Sequence, residues 1–429
     1  MNLEKEIEEL RKIIHQQAIE IMQLREENKS LKKEIEELRG IVKEKKQPAF
    51  VKEDIKEEPK QSGQKKGHEG YSRHIPERID KIKEHNPDKC PDCGGKLSGV
   101  QEIRERVITD IEFRIVNTKH IIYRKYCKTE GKIIEEPILE ALPNARFSLR
   151  LMLFVMFMKL GIRIPSNKII EFFDVIGLEI SDGEIYHILN QLKEAFGEYY
   201  ENLLKKMQEA SSKHIDETSW RINGKNNWLW IFINKEAALY EIQRQRSSKV
   251  PGEFLGEQKD KFITTDRFSA YNKLVEDTGC LQQVCWTHLL RNSKDLAKHY
   301  QEAKYLHKRM KFIFRKAKEG TEKEKLLKWI DLISNRKYHG TEVPKFVRSV
   351  CIKHRDDLFR FVDNPEVEPT NNLAERGLRH AVVMRKVSGG SRSKSGAETT
   401  AKLLSVMQTI KMQEGNIIEN MMDLLQKAK

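Results

Sequence analysis

A chain of 429 residues is too long for one compact core and leaves room for two or three folded units with connecting segments. Its 79 lysines and arginines against 65 aspartates and glutamates give a formal charge of +14, which points to a polyanionic partner, either nucleic acid or an acidic membrane surface. The longest apolar run, residues 151–158, is stopped by Lys159 well short of the roughly 20 residues that span a bilayer. The first residues also lack a signal peptide's apolar core, so a soluble cytoplasmic protein is expected.

From residue 1 to about 44, apolar residues recur at alternating steps of four and three: Leu3, Ile7, Leu10, Ile14, Ile21, Leu24, Leu31, Ile35, Leu38 and Val42. That is the seam of a coiled coil. With the isoleucines and Val42 at the a positions and leucines at d, Asn28 falls at an a position, which favours a parallel two-stranded coil in fixed register. Gln17, at d, interrupts the seam. A homodimer paired through this helix is expected. Residues 45–84 are rich in Lys, Glu, Gln and Gly with few large apolar side chains, which predicts a flexible basic linker.

Residues 85–136 contain Cys90-Pro-Asp-Cys93-Gly-Gly, then β-branched and aromatic stretches at 106–116 and 121–126 that lead to Cys127. Six cysteines in so long a chain do not make a disulfide framework, and the close Cys-x-x-Cys pair predicts a small β-rich zinc module. Cys90, Cys93 and Cys127 supply three thiolates; a structural zinc wants a fourth ligand, for which His85, His120 and Glu130 are candidates. Residues 137–210 predict helices. Pro165 opens one and Gly177 breaks it, and Ser181-Asp-Gly-Glu184 has the form of a capping box ahead of Ile185, Ile188, Leu189 and Leu192. Two short helices about a turn fit a helix-turn-helix DNA reader and equally a pair of packing helices.

After His214 the pattern turns to strands. Residues 214–220, 228–234 and 237–242 predict three in succession, with Gly224 and its Asn neighbours as the first turn. A helix at 248–255, a strand at 261–265, a helix at 269–276 and a strand at 282–285 follow. The order β-β-β-α-β-α-β is that of a ribonuclease-H-like domain, in which the first strand and the end of the fourth lie side by side. Asp216 and Asp266 would then share metal ions across 50 residues of sequence. Two ions roughly 4 Å apart need more oxygens than two aspartates supply, so a third carboxylate is required.

Glu375 is the candidate, in Thr370-Asn-Asn-Leu-Ala-Glu-Arg-Gly-Leu-Arg379, with Glu368 and Glu217 as alternatives. Helical spacing sets Asn371, Asn372 and Arg379 along the face of Glu375, where the asparagines either orient the carboxylate or contact DNA. Residues 376–397 hold Arg376, Arg379, Arg385, Lys386, Arg392 and Lys394 and no acid, which predicts a DNA track beside the site.

Taken with the leading heptads, the Lys-Lys-Gly-His-Glu-Gly segment and the Cys90 knuckle, the motifs Asp216-Glu-Thr, Thr265-Asp266-Arg, Cys285-Trp-Thr-His288 and Asn371-Asn-x-Ala-Glu375-Arg-x-x-Arg379 resemble insertion-sequence transposases of the IS66 type. The resemblance runs over nearly the whole chain. It implies an Asp-Asp-Glu transposase with Asp216, Asp266 and Glu375 as catalytic ligands of Mg²⁺ or Mn²⁺. It also implies a helical insertion at about 289–365, opened by the Cys285-x-x-His288 signature. The family's usual second Cys-x-x-Cys is reduced here to Cys127-Lys-Thr-Glu130. The whole is expected to be a multidomain α+β protein: coiled coil (1–44), linker (45–84), zinc module (85–136), helical segment (137–210) and ribonuclease-H-like catalytic domain (211–429). Its expected partners are element-end and target DNA, with accessory transposition proteins. Two alternatives are a ribonuclease-H-like nuclease or resolvase that cuts without joining, and an inactive relic that binds DNA.

Overall fold

The protein is seen in a computed structural model that describes residues 76–427 and the helical positions 16–17, 21–22, 24–28 and 31. Apart from those positions, the expected coiled coil lies outside the described residues, as does the linker up to residue 75. The chain divides into two compact units, Met1–Asp110 and Ile111–Lys429.

In the first unit the Cys90-x-x-Cys93 segment closes into a tight turn. The Cys90 N–H donates to Gly95 O and the Gly94 N–H to Cys90 O, each at 2.9 Å. In the second unit, β1 (Lys125–Cys127) and β2 (Lys132–Ile134) form a short antiparallel hairpin. The β-rich character expected of residues 85–136 needs correction beyond that hairpin, because residues 101–124 join no ladder among the described residues. β-Branched composition makes a strand only where a neighbour takes its N–H and C=O groups. Outside a ladder, Ile103, Ile108 and Tyr123 stay exposed.

Four helices follow: α1 (Leu149–Met156, running on through a π turn at Phe157–Gly161), α2 (Ser166–Val175), α3 (Asp182–Ala195) and α4 (Gly197–Glu209). Ser181 and Glu184 form the capping box. Ser181 Oγ accepts the Glu184 N–H at 3.2 Å and Glu184 Oε2 accepts the Ser181 N–H at 2.9 Å.

The second sheet contains β3 (Ser212–Ile222), β4 (Lys225–Ile233), β5 (Ala238–Gln243), β6 (Phe262–Thr265) and β7 (Leu281–Val284), in the order β5-β4-β3-β6-β7. β3, β4 and β5 are antiparallel neighbours, whereas β6 and β7 run parallel to β3. Parallel neighbours require crossovers, supplied by α5 (Lys249–Leu255) and α6 (Ser269–Thr278). The result is the β-β-β-α-β-α-β order expected of the sequence. Beyond β7 lie α7 (Trp286–His299), α8 (Gln301–Lys318), α9 (Lys323–Ser334), α10 (Glu342–Val347) and the short α11 (Arg360–Asp363). α12 (Asn372–Ser388), α13 (Lys394–Lys411) and α14 (Ile417–Lys427) complete the chain's described part.

Two apolar cores result. One joins α1 to α4 with the five-stranded sheet, α12, α13 and α14, so residues 149–209 share the core of the sheet. The other, around Trp286, Leu306, Met310, Ile330 and Phe359, belongs to α7 through α11. No helix among the described residues is long and apolar enough to cross a membrane.

The edge strand β5 is covered by α13. Buried Ser405 and Thr409, one turn apart, accept the N–H groups of Tyr240 and Ala238 at 2.8 and 3.0 Å. An edge strand otherwise leaves such donors unpaired. Ser405→Ala removes one acceptor, and the orphaned Tyr240 N–H should lower stability by about 1–3 kcal/mol in a denaturant titration. An unchanged midpoint would show that the edge does not depend on this cover.

Candidate active site

Residues Ser212, Lys213 and His214 of β3 pair with Phe262, Ile263 and Thr264 of β6, an offset of 50. The same offset sets Asp216 level with Asp266, the first residue past β6. Released from the ladder there, Asp266 turns, its Oδ1 accepting the Phe268 N–H at 2.8 Å. Glu375 lies in the first turn of α12, its N–H donating to Asn371 O at 3.1 Å. α12 packs across β3 and β4.

The three acids lie near enough for their charges to bear on one another, although among the described residues they do not gather within 4.8 Å as a ligand group. Burial pushes the Asp216 carboxyl well above the usual range, and the charges of Glu217, Asp266 and Glu375 push it the same way, against a hydrogen bond from the Glu217 N–H. Glu368, the alternative third acid, is turned to His214, with its Oε2 3.9 Å from Nε2.

Asn371 is fully buried. Its Nδ2 donates to Ile215 O at 2.9 Å, so its Oδ1 is left to accept from His214 Nδ1 at 3.1 Å, which fixes that proton on Nδ1. Burial pushes His214 towards the neutral form. The Asn371 N–H donates to Cys285 Sγ at 3.1 Å. One residue thus ties β3, the end of β7 and the start of α12 together. Burial corrects the expectation that Asn371 contacts DNA, leaving it the orienting role. Asn372, beside it, is half-buried at the first position of α12.

Glu217 follows Asp216 but, by the two-residue alternation of a strand, faces the other side of the sheet. Its side chain is 2% exposed and pairs with Arg246, two guanidinium nitrogens lying 2.7 and 2.8 Å from Oε1. The hydroxyl of buried Tyr271 donates to Oε2. Arg246 in turn lies over the rings of Trp228 and Phe268, 4.5 and 4.1 Å from their centroids. Sequence reasoning treats Glu217 only as a spare acid and misses Arg246, Tyr271 and the pairing of His214. Period-two alternation is the available signal for Glu217, whereas its partners come from segments with no local cue.

Cys285 follows β7, and His288 sits in the first turn of α7, Nε2 3.6 Å from Glu375 Oε1. The Cys285 sulfur, a His288 ring nitrogen and a Glu375 oxygen lie within 4.8 Å of one another. Burial pushes the His288 pKa down, against the pull of Glu375 and Asp266, and pushes the Cys285 thiol up. His288 Nδ1 and Glu375 Oε1 are both buried without a hydrogen-bond partner. Unpaired buried polar atoms at one place suit the binding of a ligand.

Along α12, the loop after it and the first position of α13, Arg376, Arg379, Lys386, Arg392 and Lys394 are exposed and Arg385 is half-buried. The loop is pinned to the end of β3. The Ser391 N–H donates to Arg221 O at 2.8 Å and the Asn223 N–H to Ser391 O at 2.9 Å. Gly390 permits this: a Cβ there would lie 2.3 Å from Arg221 O.

Clustered carboxylates beside an exposed basic helix are the layout of an enzyme that processes nucleic acid. The family model described as Transposase IS66 family matches residues 144–399, which include all three acids and the helices between them, and the chain belongs to that family. No curated protein matches it.

Asn371→Ala breaks two buried hydrogen bonds and should cost about 1–3 kcal/mol each in denaturation, with DNA affinity unchanged. Loss of affinity at constant stability would return Asn371 to the DNA surface.

Proposed function

We propose that this transposase cuts the ends of its element and joins them to target DNA by phosphoryl transfer at Asp216, Asp266 and Glu375. The register of β3 with β6, which puts Asp216 and Asp266 at the same level, together with the charge of Glu375 that bears on Asp216 from α12, carries the reading. The strand order β5-β4-β3-β6-β7, with three antiparallel and two parallel members, supports a ribonuclease-H-like catalytic domain over 211–429. The separate core of α7 to α11 supports a helical insertion at about 289–365.

The donor set fits Mg²⁺ or Mn²⁺: hard carboxylate oxygens, one of them unpartnered, around an Asp216 whose negative charge its acid neighbours disfavour. Asp216, Asp266 and Glu375 would hold the ions, which when bound supply neutralisation of phosphoryl charge and activation of an attacking hydroxyl. Asn371 sets the approach of α12 to β3, and so the position of Glu375. Glu217, braced by Arg246 and Tyr271, anchors β3 from the opposite face. Arg376, Arg379, Arg385, Lys386, Arg392 and Lys394 take the phosphates of the DNA, with Asn372 beside them. Cys285 anchors the turn that presents His288 to Glu375.

The N-terminal heptads pair two copies so that two DNA ends are handled together. Cys90 and Cys93 supply a metal knuckle for structural zinc; the Cys90 thiol is pulled down by the N–H groups of Cys93 and Asp92, as befits that role. The helix pair α2 and α3 contributes to end recognition. Tyr186 of α3 lies 3.3 Å from Ser395 Oγ, and Asp182 lies 4.0 Å from Arg392, beside the basic loop.

A marker flanked by the element's ends should excise and insert with the wild type and not with Glu375→Gln; equal movement with both would remove Glu375 from the chemistry. Mn²⁺ at a hundredfold excess over its dissociation constant should stabilise the wild type by about 2.7 kcal/mol in a thermal melt. Asp216→Asn should lose most of that gain, and an undiminished gain would place the ion elsewhere.

A further inference from the structure

The positive charge of the chain is concentrated in two stretches, 286–353 and 376–397. Between Trp286 and Lys353 there are 18 lysines and arginines against 7 acids, an excess of 11 within a chain whose whole excess is 14. The track at 376–397 adds an excess of 6, and the region of α7 to α10 carries the larger share.

On α8 the cations form a line. Lys304, Lys308, Lys311, Arg315 and Lys318 follow one another at steps of four, three, four and three, the spacing of one helix face, and all five are exposed. The opposite face holds Ala303, Leu306, Met310, Ile313 and Ala317, buried in the second core. The line covers about 21 Å at 1.5 Å per residue, the rise of about six base pairs of duplex. Arg315 reaches Glu319 at 3.7 Å. Lys304, Lys308, Lys311 and Lys318 make no ion pair among the described residues.

A face kept merely for solubility intersperses both signs, as α9 does with Glu324, Lys328 and Asp331 at steps of four and three. Like charges one turn apart destabilise their own helix, so an unbroken row of five is explained by a polyanion that binds it.

The row connects to the acidic site. Starting from His288 beside Glu375, α7 presents Arg291 and Lys294 at successive turns. The charge of Arg291 bears on His288, and those of Lys294 and Lys311 both bear on His307 of α8. Ser293 Oγ lies 2.9 Å from His307 Nδ1 and holds the two helices together at that level.

We propose that the exposed face of α8, joined to the α7 cations, is a second surface for the backbone of double-stranded DNA, separate from the track on α12 and contacting phosphates without regard to sequence. It rests on the transposase reading for its ligand, and extends it by giving the insertion a binding role: holding duplex that leads away from the acids.

The test is binding of the full-length protein to a 40-base-pair duplex of arbitrary sequence, followed by fluorescence anisotropy over a range of salt. With Lys304, Lys308, Lys311, Arg315 and Lys318 all changed to Gln, the slope of log affinity against log salt should become shallower by about 0.9 for each phosphate no longer neutralised, about 4.5 in total. Changing Lys325 and Lys328 of α9 to Gln is the control and should leave the slope within about 0.5 of the wild type. The melting temperature of the fivefold variant should hold or rise, since self-repulsion is removed; should it fail to fold, Lys304→Gln with Lys308→Gln alone should lower the slope by about 2. An unchanged slope in a folded variant, or an equal change in the control, overturns the proposal. Because the readout is binding, it is independent of Glu375: a wild type that binds with the expected slope but never cleaves would sink the catalytic reading and leave this surface standing.

Discussion

Acids whose charges bear on one another in a half-buried site repel. Their backbones must therefore be held by something other than the acids. Here that constraint is met largely by Asn371. Its amide bonds to Ile215 O, next to Asp216, and its backbone N–H to Cys285 Sγ, while its carbonyl receives the N–H of Glu375. The neutral tautomer of His214, fixed by the same side chain, lets a buried ring stand beside the acids without adding charge of its own.

The sheet divides the work between its faces. On one, α12 comes close because Gly377 has no side chain: a Cβ there would lie 2.3 Å from Ile231 Cδ1, and Tyr240 donates its hydroxyl to Gly377 O at 3.1 Å. Glu375 is thereby brought down onto β3. On the other face, Glu217 is locked by Arg246 and Tyr271, so the strand bearing Asp216 is gripped from both sides. Burial still raises the Glu217 carboxyl despite those partners, which marks the dry interior in which the grip operates.

Much of the sheet is legible in the sequence for local reasons. The β3 to β4 turn is written as Asn223-Gly224, both at positive φ (48° and 72°), a signal contained in two adjacent residues. The runs of β4 and β5 and the crossover helices likewise announce themselves by apolar pattern. The acids of the candidate site can be named from motifs, and the strand order brings Asp216 and Asp266 level. What local pattern does not contain is the partner of a polar side chain far along the chain. Asn371 meets Ile215 across 156 residues, and Ser405 meets Tyr240 across 165. For the same reason residues 101–124 depart from expectation: their composition suits a strand, but whether a ladder partner exists is not a local property. The heptads of residues 1–44 lie mostly outside the described residues, so their pairing rests on periodicity.

The function proposed for this transposase requires that Asp216, Asp266 and Glu375 share one ion site. Anomalous diffraction from crystals soaked in Mn²⁺ measures this directly. Peaks bounded by oxygens of all three acids are the predicted result. Density confined to Cys285 and His288, or at none of these residues, would contradict it.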